Sequence, residues 1–276
     1  MMKLFKYSIL SLVLTINVGL FAGEVELADQ LLQSHRNHEK IPLVSSIHSD
    51  LSIIQAYLIQ SDYVKKRLAG EKPAGFKAGL TAKSAQQKFN VNDALAGVLF
   101  ANGDFTHIPS IKRSQFQRLM LETEMGFEIG KAITIPIANI TELKSFIQVV
   151  FPVIELPELG FKAKPKGIDI IAANVGSAAF IKGKPVTNFA PLDLNALTVT
   201  FTKDGEVVNV GQGADALGNQ WEAALWLVNM VIAQGWRLEP GQFLMTGAMG
   251  KMITAEVGNY QADFGEFGTI AFSIVP

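Results

Sequence analysis

Leu119-Met120-Leu121-Glu122-Thr123-Glu124-Met125-Gly126-Phe127-Glu128-Ile129 reads as a strand with two unlike faces. Leu119, Leu121, Met125, Phe127 and Ile129 share one parity and Glu122, Glu124 and Glu128 the other, because successive side chains of a strand point to opposite sides. Glu122 and Glu124 therefore project side by side. Further along, Glu155 interrupts the apolar run Val149-Val150-Phe151-Pro152-Val153-Ile154-Glu155-Leu156. A carboxylate inside such a run has to be paired, protonated or metal-bound, since burying a bare charge is costly. Three convergent carboxylates crowd like charges. A hard divalent cation relieves that crowding, and all-oxygen ligands suit Mg²⁺ or Mn²⁺. Alternating glutamates also mark the wet face of an antiparallel strand, and spacing alone leaves both readings open.

The chain around this stretch is large enough for a sizeable core. It has 276 residues, of which 49% are hydrophobic and 18% charged, which suits one large domain or two intimate ones. A net charge of −1 supplies no basic field for nucleic acid. The absence of cysteine excludes disulfides, thiolate metal sites and cysteine nucleophiles. At the N-terminus, Lys3 and Lys6 precede the uncharged stretch Tyr7 to Ala22, whose apolar centre, Ile9 to Val18, is short for a membrane span. With the small pair Ala22-Gly23 after it, this predicts a signal peptide over residues 1–22. It implies export to the periplasm or beyond, with no stable membrane span once removed. The alternative is an uncleaved apolar N-terminus, which would leave the protein in the cytoplasm.

Residues 24–74 read as a helical region. Leu27, Leu31 and Leu32 sit at helical spacing, and a second helix is predicted from Ser52, a fair N-cap, to about Arg67, ended by Gly70. Residues 75–276 read as β-rich. Gly75-Phe76-Lys77-Ala78-Gly79 looks like a strand entering a turn. Burial of Lys77 would disfavour its charge and allow proton transfer near neutrality, whereas a surface lysine on an edge strand is the commoner arrangement. A short helix over Ala82 to Phe89 and an apolar strand from Leu95 follow. Short strands are predicted at Ile133 to Ile137 and at Gly167 to Ala173, with a helix capped by Thr141 between them. Asn174-Val175-Gly176-Ser177-Ala178-Ala179 is a loop of small residues that lets backbone approach a ligand or another element. Asp204-Gly205 signals a hairpin. Asn219 to Gln234 is the clearest helix, with Trp221, Leu225, Val228 and Ile232 as its stripe. Regular βαβ alternation is missing, so the fold class is α+β: a mixed, largely antiparallel β core with N-terminal helices and one long late helix. No GxGxxG, Walker loop, HExxH or GxSxG is present.

Taken together, the motifs resemble those of the 2-keto-4-pentenoate hydratase and 4-oxalocrotonate decarboxylase family, within the fumarylacetoacetate hydrolase fold superfamily. The likeness is carried by Ala56-Tyr57-Leu58-Ile59-Gln60, Gly75 to Thr81, Glu122-Thr123-Glu124, Ile154-Glu155-Leu156-Pro157, Asn174 to Gly183, Gly211 to Gly218 and Thr246-Gly247-Ala248. It implies a highly twisted β core and a homo-oligomer. It also implies Mg²⁺ or Mn²⁺ held by Glu122, Glu124 and Glu155, Lys77 as the acid/base beside the substrate, and Asn174, Ser177 and Thr246 as substrate-binding positions. The substrate implied is a short 2-keto acid or its dienol, handled in the breakdown of aromatic compounds. A metal chelated by such a substrate polarises the ketone and stabilises the enolate. Departures from the pattern accompany the matches. Met120 stands where an arginine is usual and Leu95 where an acid is common, and Gly176 and Ala178-Ala179 replace a serine and a Gly-Gly pair. Loss of a guanidinium removes a directional carboxylate contact, for which Arg113 or Arg118 are the candidate substitutes. The leading expectation is a metal-dependent hydratase. The alternatives are a decarboxylase or C–C hydrolase of the same superfamily, or a non-catalytic exported binder of 2-keto acids.

Overall fold

A computed structural model of the chain describes residues 22–276. The expected signal peptide lies outside the described residues apart from Ala22, which opens helix α1 (Ala22–Arg36). α1 buries Leu27, Ala28, Leu31 and Leu32, the stripe its helical period brings to one side. A single turn, α2 (Val44–Ile47), leads to α3 (Ile53–Leu68). The Ser52 hydroxyl accepts the Gln55 N–H, and the Gln55 side chain accepts the Ser52 N–H in return, so two orphan donors of the helix start are satisfied together.

The remaining elements are β1 (Gly75–Gly79), α4 (Lys83–Phe89), β2 (Leu95–Leu99), β3 (Ser110–Lys112), β4 (Met120–Ile129), α5 (Ile140–Lys144), β5 (Ile147–Leu156) and α6 (Gly167–Ala172). β6 (Ala179–Lys182), β7 (Thr198–Lys203), β8 (Glu206–Gln212), α7 (Gln220–Ala233), β9 (Phe243–Met245), β10 (Met249–Thr254), β11 (Gly258–Asp263) and β12 (Thr269–Val275) complete the chain. One sheet has the order β2-β1-β9-β4-β5-β6, with β10 also pairing with β4; the other has the order β3-β12-β11-β7-β8. Among the strands of the described residues only the β1–β9 and β3–β12 pairs are parallel, so the structure is the mixed, largely antiparallel α+β arrangement expected. Asp204 and Gly205 both take positive φ at the β7–β8 hairpin, as its tight turn requires.

β4 organises the larger sheet because its two faces meet different surroundings. Leu121, Met125, Phe127 and Ile129 are fully buried in the main core with Leu227, Val228 and Val231 of α7. Phe127 meets Trp221 edge-on, with ring centroids 4.9 Å apart. On the opposite face Gly126 lies across from Phe151 in the β4–β5 register. A Cβ at Gly126 would sit 2.4 Å from the Phe151 ring. Phe151, Val153, Phe180, Phe243, Met245 and Leu99 form an apolar cluster on this side. Leu31, Ile59 and Val64 of α1 and α3 belong to the same main core as β4 and α7.

Two segments differ from their sequence-based expectation. Residues 167–172 form helix α6, not a strand. The Asp169 carboxylate accepts the Lys166 N–H (2.7 Å) and both the N–H and hydroxyl of Ser45 (2.8 Å each), which fixes a helical start, while Ile170 and Ile171 enter an apolar cluster. A short apolar run fits a buried helix as well as a buried strand, and this capping decides it. Residues 133–137 make one bridge, Ile133 with Leu238, and then leave the sheet as the Asn229 side chain binds both backbone groups of Ile137. α5 is capped by Asn139, whose side chain accepts the Glu142 N–H, and not by Thr141.

Candidate metal centre

The antiparallel register of β4 and β5 sets Glu122 opposite Glu155 and Glu124 opposite Val153. Residues directly opposite in such a pair share a face, so all three carboxylates stand on the side of β4 away from α7. One carboxylate oxygen from each of Glu122, Glu124 and Glu155 lies within 4.8 Å of the others. Lys77 reaches the same place from β1, whose register through β9 sets it level with Met245 and Gly126. Its ammonium donates to Glu155 Oε1 and to the Val175 carbonyl (3.1 Å). Lys77 is 2% exposed, and Glu124 and Glu155 are fully buried; Glu122 is partly open.

Burial and mutual repulsion set the protonation of the acids. Burial, followed by the Glu155 charge, pushes Glu122 up to about 8, against the pull of Lys77. Burial and the charges of Glu155 and Glu122 hold Glu124 well above the usual carboxylate range, although Lys77 and the Gly247 N–H oppose this. Burial works against the Lys77 ammonium, but the charges of Glu155, Glu122 and Glu124 outweigh it and keep its pKa above the ordinary value. This corrects the expectation that burial alone would disfavour the lysine's charge. Of the acids read as metal ligands, Glu155 is the one that forms the ion pair with the Lys77 ammonium.

The donor set fits a hard divalent cation. Glu124 Oε1 and Glu155 Oε2 are buried with no hydrogen-bond partner, and orphaned buried oxygens of this kind are rare in folded proteins. One carboxylate oxygen from each of Glu122, Glu124 and Glu155 converges in an all-oxygen arrangement that could hold such an ion. The remaining oxygen of Glu124 accepts the Gly247 N–H at 2.8 Å. Gly247 has φ of 110°, and a Cβ there would lie 2.4 Å from the Thr81 side chain, so glycine is what allows this amide to reach the carboxylate.

The other expected site residues surround this centre at different removes. Thr246 is fully buried. Its hydroxyl lies 3.2 Å from the Met125 carbonyl and within hydrogen-bond reach of the Gln220 side-chain oxygen, next in sequence to the amide that holds Glu124. Asn174 accepts the Val98 N–H and donates to the Val98 carbonyl, each at 2.8 Å, tying the small-residue loop to β2. Ser177 lines a different cavity, between α1 and α3. Met120 shares the face of Glu122 and is buried, and Leu95 packs among Val91, Ile171 and Val175. Arg113 and Arg118, the candidate substitutes for the missing guanidinium, are both exposed. Sequence reasoning did not single out the Val175 carbonyl, the Gly247 amide or Gln220. Val175 is a β-branched residue at φ of 53°, a costly conformation that tends to cluster where geometry is imposed for function. No residue type in the sequence announces it.

Comparison with known proteins places these features in a wider set. No family model matches the chain. It is 27% identical over 238 residues to a 2-keto-4-pentenoate hydratase of Paraburkholderia xenovorans, covering 85% of this chain and 88% of that protein. It is 27% identical over 238 residues to a 4-oxalocrotonate decarboxylase of Pseudomonas sp. strain CF600, covering 84% and 89%. Among solved structures, the 4-oxalocrotonate decarboxylase of Pseudomonas putida G7, complexed with magnesium and adipate, superposes with a TM-score of 0.84 at 23% identity, covering 91% of this chain and 97% of that one. The chain shares the fold of that decarboxylase and, with a TM-score of 0.55 at 12% identity, that of a fumarylpyruvate hydrolase of Pseudomonas aeruginosa. The expectation of export does not stand. The relatives that cover most of this chain are by name 2-keto-4-pentenoate hydratases and 4-oxalocrotonate decarboxylases and lend it no support. Among the described residues no helix is long and apolar enough to cross a membrane.

Proposed function

The chain is a relative of the 2-keto-4-pentenoate hydratases and 4-oxalocrotonate decarboxylases on a fumarylacetoacetate hydrolase fold, and from that premise we propose that it is a divalent-metal-dependent hydratase of a short unsaturated 2-keto acid. The observation that carries this reading is the convergence of Glu122, Glu124 and Glu155 beside the buried Lys77. In this proposal the three glutamates would hold Mg²⁺ or Mn²⁺, Lys77 is the catalytic acid/base, and Thr246 belongs to the substrate-binding wall; of the other two expected substrate-binding positions, Asn174 positions the loop and Ser177 lines the separate cavity. The ion would polarise the keto oxygen and offset the negative charge that develops there.

The chain's own residues account for the rest. Glu155 and the Val175 carbonyl hold the Lys77 ammonium in one orientation. A protonated lysine so held can give a proton to the dienol carbon chain and take one back, the task of a positioned acid/base. Water then adds at the far, electron-poor end of the enone. Asn174 keeps the loop that carries Val175 fixed to β2, so it acts on Lys77 by position. Phe151, Val153, Phe180 and Met245 line the same face as an apolar floor that excludes water from the acids and strengthens their electrostatics.

The test is metal-dependent loss of dienol absorbance from 2-hydroxypenta-2,4-dienoate. Chelation should abolish it, and Lys77→Ala should lower kcat by roughly 100-fold or more, the usual worth of a positioned acid/base. Turnover indifferent to both would contradict the proposal. A second reading, decarboxylation of a 2-oxo-diacid, is favoured by the decarboxylase relative and by the superposition described above. Product analysis separates the two, since CO₂ release supports the second and net addition of water the first.

A further inference from the structure

A cavity of about 160 Å³ lies between α1, α3, residues 114–117 and residues 176–178, and neither Lys77 nor any of the three clustered glutamates lines it. Arg67 of α3 faces it without a counterion. Its guanidinium lies 3.7 Å over the Phe100 ring, 3.3 Å from the Tyr63 hydroxyl and only 3.5 Å from the Ser177 carbonyl, and its Nε is buried with no hydrogen-bond partner. Among the described residues no carboxylate forms an ion pair with it. Two acids do line the cavity, but both are engaged elsewhere. Glu158 accepts the N–H groups of Gln117 (2.7 Å), Arg118 (2.8 Å) and Gly160 (2.7 Å), and Glu39 accepts the Asn37 amide (3.2 Å).

Uncharged groups make up much of the remaining lining. Ser34, Ser114 and Gln115 offer hydrogen bonds, and Leu31, Ile41 and Phe116 an apolar wall. Burial, followed by the charges of Arg67, His38 and Arg36, lowers His35 to about 4. Burial is the main reason His35 is uncharged at neutral pH, and the neighbouring Arg67 adds to it. A part-buried guanidinium whose Nε is buried and unused is a directional partner for a carboxylate.

We propose that this cavity is a second ligand site, separate from the metal centre, that takes a short aliphatic carboxylate, its charged end on Arg67 and its body against Leu31, Ile41 and Phe116. The site stands on its own geometry and does not depend on the activity proposed for the glutamates.

The experiment is calorimetric titration of the full chain, treated with chelator, with butyrate and with inorganic phosphate as probes. Butyrate should bind saturably at one site, and Arg67→Gln should weaken it by about tenfold, the low end of what removing one partner of a charge pair costs, since the guanidinium is part-buried. Arg67→Lys, which keeps the charge but not the fork, should fall between the two. Ser34→Leu, which fills the cavity and leaves Arg67 in place, should abolish binding, while Glu122→Gln should leave it unchanged. The melting temperature of each variant without ligand reports its folding; if Arg67→Gln does not fold, Arg67→Lys and Ser34→Leu decide. The proposal is overturned by absence of saturable butyrate binding, by equal affinity in the folded Arg67 and Ser34 variants, by loss of binding in Glu122→Gln, or by phosphate binding more tightly than butyrate.

Discussion

Glu122 and Glu155 face each other across one rung of the β4–β5 ladder, where like charges are destabilising. This makes the metal-free protein sensitive to pH with a definite sign. Glu122 titrates at about 8 in the fold against an ordinary 4.5, so between those values the folded state binds more protons than the unfolded one. Stability therefore falls as pH rises through that window and levels off above it. With chelator present, the melting temperature should drop from pH 5 to pH 8, by the equivalent of on the order of 1–3 kcal/mol after discounting for the partial exposure of Glu122. Glu122→Gln should flatten that slope, and an unchanged slope would show that Glu122 is not the titrating group. Because the acids must lose their protons to hold a cation, stabilisation by added Mn²⁺ should grow over the same pH range. The four charged residues were legible in the sequence, Glu155 because it breaks an apolar run and Lys77 because its neighbours are small or apolar. The groups that orient them were not. A carbonyl at Val175 and an amide at Gly247 belong to the backbone, and only the folded loop shows where they point.

At the scale of elements, the site depends on how closely β4 and β5 approach and on how the loop after α6 is fixed. Gly126→Ala would drive a Cβ into the Phe151 ring, and overpacking of that kind costs about 1–3 kcal/mol. Denaturant unfolding should show that loss at an unchanged m-value. Asn174→Ala removes both side-chain bonds to the Val98 backbone and leaves two buried groups unpaired, at about 1–3 kcal/mol each. It should also lower turnover of the dienol, because Val175 follows Asn174 directly and holds Lys77. The extents of α3 and α7 were readable from apolar spacing and caps, but not the whole buried face: α7 turns Leu227 and Val231 into the core and leaves Leu225 and Ile232 half-buried. The run at residues 167–172 was not, because its helical start depends on Ser45, far away in the chain.

At the scale of the whole molecule, the N-terminal helices and the sheet share one core. Leu31 of α1 is 4% exposed and sits in the cluster that contains Phe127 and Leu227. Leu31→Ala should therefore cost about 2–5 kcal/mol and lower one common calorimetric transition. A separate early transition would show that the helical region melts on its own. The α+β class and the largely antiparallel pairing followed from the density of short strands and turns, whereas strand order across two sheets has no local signal.

The central claim is that three glutamates from two strands jointly hold one divalent ion next to Lys77. Its most direct test is anomalous diffraction from a crystal of the protein soaked in Mn²⁺. The expected result is one strong peak within coordination distance of carboxylate oxygens of Glu122, Glu124 and Glu155, lost in Glu124→Gln. A well-ordered soaked crystal with no peak at those oxygens, or with its peak bound elsewhere, would contradict it.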